Sequence, residues 1–217
     1  MTNKPIDKDL MEVCKASQDG RLKKEFDMMS DRAKPIIFNG EMVRAILDGR
    51  KTQTRRIVKS ILGVNAEGAY FDKETDRWYF QNWDKPNPVD PCIGKCPYGK
   101  VGDILWVRET WAMSGLNRVE YKAFPADGKD FRAVSKWKPS IHMPKWASRI
   151  TLEITDVRVE RVQEISEMNS LREGTMPTNF ASARGNFALL WNSIHGKDAW
   201  DRNDWAWVVT FRRHYER

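Results

Sequence analysis

The strongest structural signal in the chain is the alternating segment RITLEITDVRVERV. From Ile150 to Ile154 every second residue is apolar, which is the period of a strand with one buried face. The apolar positions then shift by one residue, to Val157 and Val159. A shift of this kind predicts a β-bulge near Asp156, and a bulge bends a strand as a small barrel requires.

Helical patterns lie among the strand patterns without regular alternation. A short buried strand is predicted at 35–38, and Asn39 after it suits the N-cap of a helix that ends at Gly49. ILWV at 104–107 and WAWVVTF at 205–211 predict buried strands. This order predicts an α+β fold with a curved, mainly antiparallel sheet.

Two further helices are predicted before the last strand. SEMNSLREG begins with Ser166 as an N-cap and ends at Gly174. The next helix ends at Gly196, and its apolar face comprises Phe187, Leu190, Trp191 and Ile194.

The 217 residues predict one domain with extensions. Residues 1–33 are polar and form an N-terminal extension, and residues 34–217 form the domain. A segment at about 60–100 is an insertion, in which AYF and RWYF flank DKETD as an exposed hairpin.

Composition and charge indicate which partners and which cellular compartment suit the chain. The formal charge of +7 and the pI near 9.3 favour polyanion partners such as RNA or DNA, although many proteins carry this charge without such a role. The N-terminus lacks the apolar run of a signal peptide, and no stretch approaches the roughly 20 apolar residues of a membrane span. With three cysteines and no disulfide framework, the chain is predicted to be cytoplasmic.

A dense group of cations follows the first helix. From Arg44 to Lys59 there is one acid, Asp48, and two hydroxyl residues lie among the cations. Cations and hydroxyls presented by a glycine turn suit a phosphate or a polar heterocycle, although a solvated basic strand has the same pattern. The predicted nucleic-acid-binding residues are Arg44, Arg50, Lys51, Thr52, Arg55, Arg56 and, after a later strand, Arg108.

The segment ILDGRKTQTRR resembles the signature of ASCH domains, a family related to PUA RNA-binding domains. Four later segments fit the family in order: GDILWVRETW, RITLEITDV, the helix ending in REG, and WVVTF. The resemblance covers roughly residues 34–215 and is greatest to ASCH proteins of bacteriophages and prophages. It implies a small PUA-like β-barrel with flanking helices, and a function with RNA or nucleosides.

The resemblance also implies a candidate catalytic set. Some small ASCH proteins are similar to amidohydrolases that remove an acetyl group from acetylcytidine with a Lys, a Thr and a Glu. Lys51 and Thr54 match the first two by position, and Glu173 in LREG matches the third. Amide hydrolysis needs a nucleophile, a base and a proton for the departing amine, and these three residues can supply them. In the alternative, Lys51 binds phosphate, Thr54 caps a turn and Glu173 pairs with a neighbour.

Two other groups of residues carry weaker signals. Arg108 and Glu109 follow a buried strand and suit either a barrel mouth or a plain ion pair. Cys92 and Cys96, even with His142, fall short of the four ligands of structural zinc, so no metal or cofactor is predicted.

Three functions stay open at this point. The first is recognition of RNA or a nucleotide by the basic segment, and the second is hydrolysis of a modified cytidine or of RNA. The third is binding of a host protein by a phage-encoded chain. The sequence leaves the oligomeric state undetermined.

Overall fold

A computed structural model of the chain describes residues 33–59, 66–81, 92–114, 118–123, 134 and 136–214. The predicted N-terminal extension lies outside these residues except for Ala33, and the elements from Lys34 onward belong to one compact unit. The strands are β1 (Lys34–Ile37), β2 (Gln53–Ile57), β3 (Gly68–Asp72), β4 (Arg77–Gln81), β5 (Cys92–Gly94), β6 (Ile104–Arg108), β7 (Trp111–Met113), β8 (Val119–Tyr121), β9 (Thr151–Arg161) and β10 (Trp205–His214). The α-helices are α1 (Gly40–Leu47), α2 (Glu167–Arg172) and α3 (Ala183–His195). In the described ranges, no helix is long and apolar enough to cross a membrane.

Five strands form the main sheet, in the order β1-β6-β9-β10-β2. β1 pairs with β6 in parallel, and the other neighbours are antiparallel. The ILWV strand, β6, lies between β1 and β9, which explains why its residues are apolar on both faces. The predicted α+β fold with a mainly antiparallel sheet is confirmed.

The predicted bulge is present in β9. Thr210 of β10 pairs with Asp156, and the next residue, Phe211, pairs with Ile154. Thr155 is therefore the extra residue, and it is exposed. The bulge moves the apolar positions to the other parity, so that Val159 faces the same core as Ile154.

The two edge strands of the main sheet approach each other. Arg56 of β2 donates a guanidinium N–H to the carbonyl oxygen of Ile37 in β1, at 2.7 Å, and its cation lies 5.3 Å from the ring centre of Phe38. The sheet is therefore strongly curved. Among the described residues its backbone ladder runs from β1 to β2 without closing, so the sheet curls like a barrel but remains open.

β1 differs from the prediction of a buried strand. Ile36 and Phe38 are buried, but Ile37 is 43% exposed. The reason is its place at the edge of the main sheet, where among the described strands it forms a ladder with β6 alone.

The main core fills the inside of the curved sheet. Successive side chains of a strand point to opposite faces, so Trp205, Trp207 and Val209 enter this core while Ala206 faces outward. Helix α3 covers the outer face with Phe187 and Trp191.

The predicted apolar face of α3 is only partly buried. Phe187 and Trp191 are buried and Leu190 is partly so, but Ile194 is 46% exposed. All four residues nevertheless line the same cleft, so they share one face of the helix as predicted.

The predicted hairpin in the insertion is present. β3 and β4 pair in antiparallel fashion, and β5 extends them to a three-stranded sheet. Trp78 of β4 meets Trp207 of β10 edge to face, with ring centres 6.0 Å apart. This contact fixes the small sheet to the main core.

Candidate functional site

The turn that carries the GRKT motif is held by backbone hydrogen bonds. Asn39 caps α1 by accepting from the Met42 amide at 2.8 Å, and Gly49 ends the helix with φ +74°. The amides of Arg50 and Lys51 both donate to the carbonyl of Ala45 at 2.9 Å. These hydrogen bonds fix the direction in which the chain leaves the turn and enters β2.

Lys51 lies inside the protein, and its side chain is 0% exposed. Its ammonium group donates to the Gln53 carbonyl at 2.7 Å, the Glu173 carbonyl at 2.8 Å and the Glu173 carboxylate at 2.9 Å. An ammonium has three N–H donors, so every donor of Lys51 has an acceptor.

Glu173 joins Lys51 to a longer chain of charges. It follows α2, and Gly174 after it has φ +89°. The Glu173 carboxylate also accepts from Arg55 at 3.1 Å, and Arg55 donates to Glu160 of β9 at 2.8 Å. Two buried cations thus alternate with two carboxylates, and their formal charges cancel; we call these four residues the ion network.

Burial is the main cause that lowers the pKa of Lys51 below its ordinary value of 10.5. Glu173 opposes the shift because its negative charge favours the ammonium form, whereas Arg56 and Arg55 add to the lowering. A lysine with a lowered pKa beside a carboxylate can exchange a proton more readily than a surface lysine.

A small cleft runs along the free edge of β2, between α1 and α3, and we call it the β2-edge cleft. Its polar lining comprises Thr54, Arg55, Arg56, Glu173 and His195, and its apolar lining comprises Met42, Phe187, Leu190, Trp191 and Ile194. The cavity measures about 20 Å³, which is room for about one water molecule.

Only some of the contacts needed among the three predicted catalytic residues are present. Lys51 and Glu173 are hydrogen bonded, and Glu173 and Thr54 both line the β2-edge cleft. Within the described residues, no direct hydrogen bond joins Lys51 to Thr54. Adjacent residues of a strand point to opposite faces, so Thr54 and Arg55 reach the cleft from different sides of β2.

His195 and Trp191 form one end of the cleft. Their ring centres are 4.3 Å apart. Burial lowers the pKa of His195 below 6.5, and the positive charges of Arg56 and Arg202 lower it further. The imidazole is therefore neutral at pH 7 and can accept a hydrogen bond.

The predicted nucleic-acid-binding residues fall into two groups. Lys51 and Arg55 belong to the ion network, and each side chain is 0% exposed. Arg44 and Arg50 are exposed, while Arg56 and Thr52 are partly buried. The cations available to a large ligand are therefore fewer than the sequence alone indicates.

Arg108 and Glu109 do not form the ion pair that was one of the two interpretations of these residues. Glu109 pairs with Arg149, at 2.9 and 3.0 Å, and not with Arg108. Arg108 lies over Trp106 instead, 5.4 Å from its ring centre. Residues two apart in a strand share a face, so Arg108 and Trp106 of β6 can meet, whereas Glu109 lies beyond the end of the strand.

Sequence reasoning missed three residues of the site: Gln53, Glu160 and His195. Glu160 and Gln53 each accept from Arg55, at 2.8 Å. The alternation of VRVER indicates that Glu160 faces away from the core, but only the pairing of β9 with β10 and of β10 with β2 brings it to Arg55.

The cysteine pair shows no metal geometry. Cys92 is exposed, Cys96 is buried, and burial raises the pKa of the Cys96 thiol, which disfavours the thiolate that zinc needs. Within the described ranges, no group of three or more His, Cys, Asp or Glu residues is placed to hold a metal ion.

No family model and no curated protein matches the chain. Among solved structures, the chain is similar to an ASCH domain from Lactobacillus crispatus JV V101, with 12% identity, a TM-score of 0.36, and coverage of 93% of this chain and 98% of that one. It is also similar to a protein of Enterococcus faecalis V583 from the family DUF984, with 10% identity, a TM-score of 0.38, and coverage of 85% of each chain. The first of these structures bears the name of the family that the sequence motifs resemble.

Proposed function

We propose that the chain recognises RNA, or a nucleotide within it, at the β2-edge cleft. The observation that carries the proposal is the combination of Arg56, Thr54 and the Trp191–His195 ring pair around this cleft. A guanidinium and a hydroxyl suit phosphate or sugar oxygens, and the partly exposed His195 ring, backed by the buried Trp191, suits contact with the edge of a base.

The size of the cleft favours a strand over an enclosed nucleoside. Ligand pockets for small molecules usually measure about 300–1,000 Å³, far more than the 20 Å³ found here. Only a small group of the ligand therefore enters the cleft, and the rest lies over the surface. Arg44 and Arg50 are exposed near the end of α1 and can contact its phosphates.

The ion network has a supporting role in this proposal. Lys51 and Arg55 already have carboxylate partners, so they hold β2 in place and leave phosphate contacts to others. The Arg50–Asp48 pair is exposed at 2.8 Å. Exposed pairs are worth little, so Arg50 can exchange Asp48 for a phosphate.

The test is the salt dependence of binding to a short single-stranded RNA, measured by fluorescence anisotropy. With Arg44, Arg50 and Arg56 each on one phosphate, log affinity should fall against log salt with a slope of about −2. Arg44→Gln and Arg50→Gln should each make the slope shallower by about 0.7. Arg77→Gln removes an exposed arginine of the hairpin and serves as the matched control. A flat salt dependence, or equal effects of all three variants, rejects the proposal.

A second candidate function is hydrolysis of a modified cytidine, and the Lys51–Glu173 contact favours it. In this scheme a neutral Lys51 takes the Thr54 proton through a water and passes a proton to Glu173, with which it is hydrogen bonded. The Thr54 oxygen attacks the acetyl carbon, and Glu173 gives its proton to the cytidine amine as the amide bond breaks. A water then attacks the acetyl-Thr54 ester, which releases acetate and restores the Thr54 hydroxyl. Acetylcytidine turnover that is lost in both Lys51→Ala and Thr54→Ala would favour this function. Wild-type protein without turnover, but with salt-dependent RNA binding, would favour recognition alone.

A further inference from the structure

A larger cavity lies apart from the β2-edge cleft, between the small sheet, the start of β1, the middle of β9 and the loop before β6. It measures about 500 Å³, and we call it the hairpin pocket. Its lining comprises Lys34, Phe71, Asp76, Trp78, Lys95, Cys96, Gly99, Lys100, Val101, Asp103 and Val157. The volume falls in the usual range for a bound small molecule.

Two aromatic rings form one wall of the hairpin pocket. Phe71 and Trp78 face each other across β3 and β4, with ring centres 5.5 Å apart. Trp78 is anchored by Trp207 of the main core, whereas Phe71 is 41% exposed. A fixed ring beside an exposed ring is suited to stacking on a flat ligand.

The charges around the hairpin pocket favour an anion. Asp76 is neutralised by Lys95, at 2.7 Å. The Asp103 carboxylate accepts from the backbone amide of Lys100 at 3.0 Å. In the part of the chain that the structure describes, the ammonium groups of Lys34 and Lys100 form no salt bridge. The lining has three lysines and two aspartates, so its net charge is +1, which favours a ligand with one negative charge.

The floor of the pocket is a rigid turn. Gly99 has φ +125°, and a Cβ there would lie 2.6 Å from the Asp103 carboxylate. Any other residue would therefore displace Asp103 from the turn that presents Lys100. The backbone turn that carries Lys100 is therefore fixed before a ligand arrives.

We propose that the hairpin pocket is a second binding site, for a small, flat aromatic molecule that carries a negative charge. The ring of the ligand lies against Phe71 and Trp78, and its acidic group lies between Lys34 and Lys100. The hairpin pocket shares no lining residue with the β2-edge cleft, so this proposal does not depend on the proposal of RNA recognition.

The experiment is isothermal titration calorimetry of the full chain with four probes. Adenosine 5′-monophosphate and indole-3-acetate each combine a ring with an acid, one as a phosphate and the other as a carboxylate. Adenosine has the ring without the charge, and inorganic phosphate has the charge without the ring. We expect one of the two aromatic acids to bind about tenfold more tightly than adenosine and phosphate, because stacking and charge contribute together.

The variants localise the binding. Phe71→Ala and Lys100→Ala should each weaken the preferred aromatic acid by about fivefold or more. The matched controls are Tyr70→Ala, whose ring packs on Tyr79 on the other face of the hairpin, and Lys73→Ala, which removes a charge from the hairpin turn. Both controls should leave the affinity unchanged.

Three results would overturn the proposal. The first is an absence of saturable binding by either aromatic acid up to millimolar concentration, and the second is phosphate binding as tightly as the aromatic acids. The third is binding that Arg56→Gln weakens and Phe71→Ala does not. That pattern would assign the ligand to the β2-edge cleft and would leave the proposed function intact.

Discussion

Glu173 is the residue on which most of the site's contacts depend. It contacts both Lys51 and Arg55, and its side chain is 4% exposed. A buried ion pair adds little net stability when complete, but it is costly to break because one charge is left uncompensated. The ion network is therefore expected to define the position of β2 more than to stabilise the fold.

Glu173→Gln should lower the free energy of unfolding by about 3–5 kcal/mol, because Lys51 and Arg55 would stay buried without this carboxylate. Urea unfolding followed by circular dichroism measures the change. Glu74→Gln, at an exposed position in the hairpin turn, is the control and should change the free energy of unfolding by less than about 0.5 kcal/mol. Similar values for the two variants would contradict the role given to Glu173.

Lys51→Met should remove a rise in stability at alkaline pH. The pKa of Lys51 in the folded protein lies below 10.5, so between the two values the unfolded chain binds more protons. The unfolding free energy of the wild type therefore rises with pH in that window. Below the folded-state pKa, Lys51 is charged in both states and adds no pH dependence.

The measurement is urea unfolding of both proteins from pH 7 to 10.5. The wild type should gain stability relative to Lys51→Met as the pH rises. A difference that stays constant over this range would show that the pKa of Lys51 is not lowered.

Helix ends and the bulge could be predicted at the scale of single elements, since each depends on residues close in sequence. Asn39 and Ser166 cap α1 and α2 as expected, with side chains that accept from backbone amides three residues later. The parity shift in β9 locates the bulge for the same reason. The contact between Arg55 and Glu160 could not be predicted, because it depends on which strands become neighbours.

Gly174 follows Glu173 at the end of α2 and packs against the turn that carries Lys51. An added Cβ would meet the Ala45 Cβ at 3.0 Å and the Lys51 Cβ at 3.3 Å, at a φ of +89°. The close contact lets the end of α2 approach Lys51 so that Glu173 can reach it. The helix end and the ion network therefore depend on the same glycine.

Gly174→Ala should destabilise the protein by about 2–3 kcal/mol, from backbone strain and from crowding against Ala45. Gly49→Ala is the matched control, because Gly49 also has positive φ but nothing within 4 Å of the added Cβ. It should cost only the strain, about 1 kcal/mol. Equal losses of melting temperature in the two variants would contradict the packing argument.

At the scale of the whole molecule, the sequence predicted the class of fold and the mainly antiparallel sheet, but not the strand order. The patterns of β1 and β6 do not reveal that these strands pair in parallel. The family resemblance named Lys51 and Glu173 as members of one candidate catalytic set but did not predict the ion pair between them. Gln53 and His195 enter the site through packing alone. The hairpin pocket depends on the docking of the insertion against β9 and could not be predicted.

Removal of residues 1–33 should leave the domain folded, because the elements from Lys34 onward form one compact unit. The melting temperature should change by less than about 4 °C, the shift expected from about 1 kcal/mol at this size. Thermal unfolding by circular dichroism tests this. Loss of the cooperative transition would place the domain boundary elsewhere.

The place of β2 in the sheet also sets the order in which the protein can mature on the ribosome. β2 is synthesised early, but Gln53 bonds to Thr210 of β10, 157 residues later. Lys51 must likewise wait for Glu173, 122 residues on. Contacts this distant form slowly, because a long loop must close before they stabilise anything. We therefore expect β2 to take its place in the main sheet only after β10 has been synthesised, and the β2-edge cleft to form no earlier than that.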